Sequence, residues 1–259
     1  MIRVLVAGAS GRLGSLICEG VTRQKDMMLV GGVVSAEGGH AGQRLVDGIS
    51  ASTPDMLPKL LESTDVFVDV TNPTAAERHV PQAVKAGVNC VVGTTGFSPA
   101  ALETMGKMIA DRGTSAVLTP NFSVGVNVFW RSCELLAKAL PDYEVEIIEL
   151  HHDKKKDAPS GTAKRAVEII SSATGVEKVV NGREGMVGAR GREIGVHAVR
   201  LGDVVGEHTV IFAGNKERIE LTHRAHSREA FSEGSLLAIR WVAGKRDGCV
   251  HSMAEVLGL

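Results

Sequence analysis

Ile2-Arg3-Val4-Leu5-Val6-Ala7 is a short apolar run, and Gly8-Ala9-Ser10-Gly11-Arg12-Leu13-Gly14 follows it before Leu16, Ile17, Gly20 and Val21 recur at helical spacing. A strand, a glycine turn and a helix in that order commit the start of the chain to a βα unit of the kind that binds dinucleotides. Each glycine has a physical task there. Gly8 permits the tight turn, Gly11 lets the backbone approach a pyrophosphate, and Gly14 lets the helix pack close to the sheet. The spacing is G-x-x-G-x-x-G rather than the commoner G-x-G-x-x-G, and a glycine-rich turn without a ligand is the competing reading. Its position at the carboxyl end of the first strand favours binding, because open parallel sheets take ligands at that edge.

The same alternation continues. Met28–Val34, Val66–Val70, Val88–Val92 and Ser115–Leu118 read as strands, while Pro54–Leu61, Thr74–Ala86 and Pro99–Ala110 read as helices. The pattern predicts an α/β fold, a Rossmann-like doubly wound parallel sheet. Three strand ends carry small polar clusters on the same edge as the glycine turn: Thr71-Asn72-Pro73, Gly93-Thr94-Thr95-Gly96-Phe97 and Thr119-Pro120-Asn121-Phe122-Ser123. Taken singly, each is ordinary turn chemistry. After the second strand come Ser35, Ala36 and Glu37, so the acidic residue that would hold an adenosine ribose is displaced and NADH and NADPH both remain open.

After Asn121 the texture changes. A helix is expected over Val124–Leu140, with apolar positions at Val128, Leu135, Leu136 and Leu140, then a strand over Glu144–Leu150. Gly175–Gly195 is rich in glycine and charge and reads as a loop. His197–Leu201, Glu207–Phe212 and Arg218–Leu221 read as strands of a mixed sheet in a second, α+β domain, and Ser227 caps a helix towards Trp241 that returns to the first domain. The expected division is 1–122 with 232–259 for the dinucleotide, and 123–231 for substrate and oligomerisation.

Chemistry concentrates between these strands. Glu149 to Thr162 reads Glu-Leu-His-His-Asp-Lys-Lys-Lys-Asp-Ala-Pro-Ser-Gly-Thr, with two imidazoles at a strand end and three lysines before a helix start. Ser160 is placed to cap that helix, leaving the N–H groups of Gly161 and Thr162 aimed at an anion. His151 or His152 can exchange a proton near neutral pH, and Lys155 adds a mobile cation. A solvated basic loop would explain the lysines alone; the joint occurrence points to a site that grips a carboxylate and moves a proton. Strand alternation puts Glu149 and His151 on one face, so Glu149 is expected to orient the imidazole. His79 and His251 are expected at the surface. His197, His208, His223 and His226 lack the spacing of metal ligands, and no metal is expected.

Bulk composition narrows the class. A formal net charge of −1 and 3% aromatic residues argue against a nucleic-acid partner. No long apolar run suggests a membrane span, and Cys18, Cys90, Cys133 and Cys249 are scattered as in a reducing, cytoplasmic setting.

Five blocks in order carry a family resemblance: the glycine turn, Gly93–Phe97, Asn121–Asn127, Glu149–Thr162 and Gly202–His208. Through them nearly the whole chain resembles the 4-hydroxy-tetrahydrodipicolinate (dihydrodipicolinate) reductases of the bacterial lysine and diaminopimelate pathway. The resemblance implies a homotetramer, a small dicarboxylate substrate and NADH or NADPH as hydride donor. It implies His151 as catalytic acid/base and Lys155 as proton donor. His152 matches the substrate-binding histidine, and Gly161 with Thr162 the pair holding a substrate carboxylate. Gly8, Ala9, Ser10, Gly11, Arg12 and Leu13, with Gly93, Thr94, Thr95, Thr119, Pro120, Asn121 and Phe122, match the cofactor segments. Ser35-Ala36 and Asn72 depart from the family pattern, and both bear on cofactor choice. Another nicotinamide-dependent amino-acid or aspartate dehydrogenase is the alternative enzyme, and a non-catalytic nucleotide-binding regulator the alternative class.

Overall fold

In the computed structural model, which describes residues 1–46 and 48–259, the alternation read from the sequence builds two units: Met1–Ser123 with Glu229–Leu259, and Val124–Arg228. In the first, the chain runs β1 (Ile2–Ala7), α1 (Arg12–Thr22), β2 (Met27–Val33), β3 (Arg44–Val46), β4 (Ile49–Ser52), α2 (Leu57–Leu61), β5 (Val66–Asp69), α3 (Pro73–Lys85), β6 (Asn89–Val92), α4 (Pro99–Arg112) and β7 (Ala116–Leu118). In the second it runs α5 (Val124–Ala139), β8 (Glu144–His151), α6 (Gly161–Thr174), β9 (Val179–Asn181), β10 (Ile194–Arg200), β11 (Gly206–Gly214) and β12 (Glu217–Ala225). It then returns to the first unit through α7 (Glu229–Ala243), β13 (Val250–His251) and α8 (Met253–Leu257).

The first unit is an eight-stranded sheet in the order β13-β7-β6-β5-β1-β2-β4-β3, parallel except where β3 meets β4. Its order reverses direction at β1, so the turn after β1 lies at the switch point where such sheets bind ligands. Val4, Leu5, Val6, Val66, Phe67 and Val68 are buried on both faces. That is why these strands read as unbroken apolar runs. Separate cores lie on the two faces, one holding Ile17, Leu236 and Ile239, the other Leu57, Val80 and Ile109.

The second unit is a five-stranded mixed sheet, β12-β11-β8-β10-β9. One face of β8, through Val145 and Ile147, packs with Phe129, Ala163, Ile170, Val210 and Phe212 into a third core. Continued along that face, the strand puts Glu149 and His151 where two more apolar residues would otherwise sit. No helix among the described residues is long and apolar enough to cross a membrane.

Several expectations change here. The segment expected as loop contains β9, and β10 begins at Ile194 rather than His197, because a three-residue edge strand is too short to show a period and glycines and charges surround it in the sequence. β3, β4 and β13 are strands of two to four residues, too short to show a period. In α5 the inward residues are Val126, Phe129, Trp130, Cys133 and Ala137, whereas Val128 and Leu135 are exposed. The helix starts at Glu229 and ends at Ala243, after Ser227 and beyond Trp241. His79 is buried rather than superficial, because Asp69 meets it from the neighbouring strand end.

Candidate active site

The glycine turn is as crowded as its sequence implies. Gly8 has φ +84°, and a Cβ there would stand 2.7 Å from the Val70 carbonyl oxygen. A Cβ on Gly14 would come within 2.0 Å of the Gly8 oxygen, so only glycine lets α1 approach β1 this closely. Gly11 caps α1 with no side chain over it, and the first turn has no acidic residue. The helix start, with Arg12 as its exposed first residue, is therefore open to a diphosphate, which suits the negative group that a dinucleotide would bring. Ala9 is buried beneath the turn, Ser10 and Gly11 are exposed at its rim, and Leu13 is half-buried against the core.

On the same edge Asp69 is fully buried at the end of β5. It accepts the hydroxyls of Thr71 (2.7 Å) and Thr94 (2.6 Å), and His79 Nδ1 lies 3.3 Å from its second oxygen. The Thr71 N–H in turn donates to Thr94 Oγ1. A buried carboxylate is tolerated only with such partners, and here they lock the β5 and β6 ends together. Gly93 faces the Phe122 ring, Thr95 is exposed, and Thr119 Oγ1 closes the Thr119-Pro120-Asn121 turn onto the Asn121 carbonyl at 2.8 Å. Ser35 Oγ accepts the Glu37 N–H, so Glu37 lies in the turn after β2 rather than at the strand end.

In the second unit, Glu149 is fully buried and His151 8% exposed. His151 Nδ1 is hydrogen-bonded to Glu149 Oε2, while Glu149 Oε1 accepts the Ser160 N–H (3.1 Å) and one Arg200 nitrogen (2.9 Å). With Nδ1 committed to the carboxylate, Nε2 is the imidazole's free end, and it has no hydrogen-bond partner among the described residues. That end lies against Gly206, where a Cβ would stand 3.0 Å from Nε2. Ser160 Oγ accepts the Ala163 N–H as the cap of α6 and contacts His208 Nε2 at 3.1 Å. Gly161 and Thr162 follow as the first residues of the helix, and Trp130 Nε1 holds the Thr162 carbonyl. Lys155, mostly buried, pairs with Asp157 at 2.8 Å. His152, next to His151 at the strand end, is half-buried.

The charges are ordered by this packing. Burial pulls the Glu149 carboxyl up, but hydrogen bonds from His151 and Arg200 outweigh it and hold the group at about 2. Burial, with His151 beside it, pushes His208 down to about 3, so this imidazole stays neutral. Asp157 lies below its ordinary value through the Lys155 hydrogen bond. Donor atoms of Glu149, His151 and His208 lie within 4.8 Å of one another. With a guanidinium already neutralising Glu149, this cluster is a hydrogen-bonded network rather than an open cage for a cation.

The expected residues thus fall into two groups. His151, His152, Lys155, Gly161 and Thr162 belong to one strand end and the helix start that follows it; Gly8–Leu13, Gly93–Thr95 and Thr119–Phe122 belong to one sheet edge in the other unit. Asp69, His79, Arg200 and His208 went unassigned. Arg200 stands opposite His151 and His208 opposite Glu149 on neighbouring strands, a relation that exists only once the sheet has formed.

Family models described as dihydrodipicolinate reductase, N-terminus and C-terminus, match residues 2–122 and 125–257. A 4-hydroxy-tetrahydrodipicolinate reductase of Methanocaldococcus jannaschii is 49% identical, covering 100% of this chain and 98% of its own. One from Methanosarcina barkeri is 48% identical over the full length of both. Among solved structures, a dipicolinate-bound dihydrodipicolinate reductase from Paenisporosarcina sp. TG-14 superposes with a TM-score of 0.82 at 26% identity, covering 98% of each chain. The chain belongs to the 4-hydroxy-tetrahydrodipicolinate (dihydrodipicolinate) reductase family, NADH- or NADPH-dependent oxidoreductases of lysine and diaminopimelate biosynthesis.

Proposed function

We propose that the unit formed by Val124–Arg228 holds the cyclic dicarboxylate and protonates it, and that the other unit holds the dinucleotide. One observation carries the assignment: the carboxylate of Glu149 joins the His151 imidazole to the N–H of Ser160, tying a proton-active group to the start of α6. The first N–H groups of α6, at Gly161 and Thr162, donate to one substrate carboxylate, where the helix dipole favours an anion. The lysine-rich loop adds positive charge against the second, and His152 offers it a hydrogen bond. The bound nicotinamide supplies the hydride, which leaves negative charge on the substrate ring. Lys155, paired with Asp157, delivers the proton that quenches it, and His151 serves as acid/base through Nε2.

In the first unit, Gly8–Leu13 cradle the diphosphate, and Gly93–Thr95 with Thr119–Phe122 form the wall beyond it. No metal takes part in this reading. We place the reaction in the cytoplasm, where the nicotinamide pool lies and where Cys18, Cys90, Cys133 and Cys249, all unpaired, stay reduced. The working form is a homotetramer built through the second unit's sheet.

His151→Ala and Lys155→Ala should each lower turnover by about 10²-fold or more while leaving cofactor affinity unchanged. Following NADH and NADPH oxidation with freshly generated substrate measures both. Equal loss of cofactor binding in the two variants would show the site to be misplaced.

A further inference from the structure

Arg200 ends β10 directly beside His151 on β8. One terminal nitrogen donates to Glu149 Oε1 at 2.9 Å and to the Asp157 carbonyl at 2.6 Å. The other donates to Glu149 Oε2 at 3.2 Å and the Val199 carbonyl at 2.7 Å. Its side chain is 20% exposed, and its Nε is buried without an acceptor, so the group is held by its fork rather than by solvent. Asp157 is the residue that also pairs with Lys155. One cation therefore touches the carboxylate behind the imidazole and the backbone of the loop that bears the ammonium.

We propose that Arg200 is the positioning residue that couples His151 to Lys155, its guanidinium fastening the Glu149 carboxylate to the Lys155 loop so that the two proton-active groups keep one geometry. The proposal rests on the roles given above to those two residues. A planar, five-donor fork can satisfy both carboxylate oxygens and a carbonyl together, whereas a lysine ammonium is a single point of charge. The loop is also anchored by the Asp153 N–H on the Gly202 carbonyl and the Ser160 N–H on Glu149.

Around His151 the charged and titratable groups are Glu149 on its own strand, Arg200 on β10, His208 on β11 with His223 behind it on β12, and Lys155, Asp157 and Lys164 from the loop and α6. Removing the guanidinium leaves Glu149 with only the imidazole and the Ser160 N–H, so the carboxylate acts more fully on the imidazole.

The test is steady-state kinetics over a pH series on Arg200→Ala and Arg200→Lys, with His151→Ala as reference. Both Arg200 variants should lose turnover by about 10- to 100-fold with an unchanged KM for the dinucleotide, as expected when reacting groups lose their alignment. In Arg200→Ala, the pH limb that is missing from His151→Ala should move upward. Millimolar guanidinium should restore part of its turnover. Wild-type kinetics would reduce the contact to a surface ion pair, and a raised substrate KM with unchanged kcat and pH profile would make Arg200 a substrate contact; either overturns the proposal. Should Arg200→Ala fail to fold, Arg200→Lys decides, since full turnover with a lysine refutes the need for the fork. Wild-type turnover in His151→Ala would instead remove the underlying assignment, and this proposal with it.

Discussion

At the scale of single residues, the second unit depends on a carboxylate that water does not reach. Glu149 replaces what would be core, and its charge is stable there because His151, Arg200 and the Ser160 N–H saturate it. Glu149→Gln keeps the shape and removes the charge. Turnover should fall by on the order of 10²-fold, since the imidazole loses its orienting acceptor. The same change has a pH signature. With its folded value depressed from 4.5 to about 2, the carboxylate contributes its full stability above 4.5 and loses it as pH falls toward 2. Urea unfolding at pH 7 and at pH 3 should therefore differ less in Glu149→Gln than in the parent. An unchanged difference, or unchanged turnover, would mean the network is incidental. The facing of Glu149 and His151 was readable from strand alternation alone, since their spacing of two needs only the strand's period. His79 was not, because burial of an imidazole is decided by whether a carboxylate such as Asp69 meets it.

At the scale of elements, α6 joins local signal to tertiary use. Ser160 caps it, as the order Pro-Ser-Gly-Thr implies, but the same hydroxyl also meets His208, forty-eight residues away. Ser160→Ala should cost roughly 1–2 kcal/mol in urea unfolding, the sum of a lost cap and a buried imidazole left without its partner. It should also raise the substrate KM, because the frayed first turn no longer presents its N–H groups. A stability loss with unchanged KM would separate α6 from the carboxylate site. The α5 helix shows the limit of local reading. Val128 and Leu135 are apolar yet exposed, while Phe129, Cys133 and Ala137 are buried, so hydrophobicity located the helix but not its phase. Phase follows from what the helix packs against, here Ile147, Val210 and Ala163.

At the scale of the whole molecule, the second unit's sheet has helices against one face, and its other face holds half-buried Ile148, Leu150 and Ile211. Burying such a face against copies of itself is the physical basis for the proposed homotetramer. Light scattering should give four times the mass of one chain, and Ile211→Asp should yield a smaller species. A parent sample with the mass of a single chain would sink the proposal. The doubly wound parallel character of the first unit's sheet followed from the alternation of strands and helices, whereas the short strands β3, β4, β9 and β13 were invisible because they exist only as partners of longer ones. The sequence by itself determined the glycine turn, the strand and helix alternation, the cap of α6 and the side on which Glu149 and His151 face. Those depend on backbone sterics and hydrogen bonds among residues close in the chain. Only the tertiary structure decided that Arg200 and His208 surround that carboxylate and that His79 meets Asp69. Sheet register and helix docking bring those groups together, and neither is encoded within any one segment.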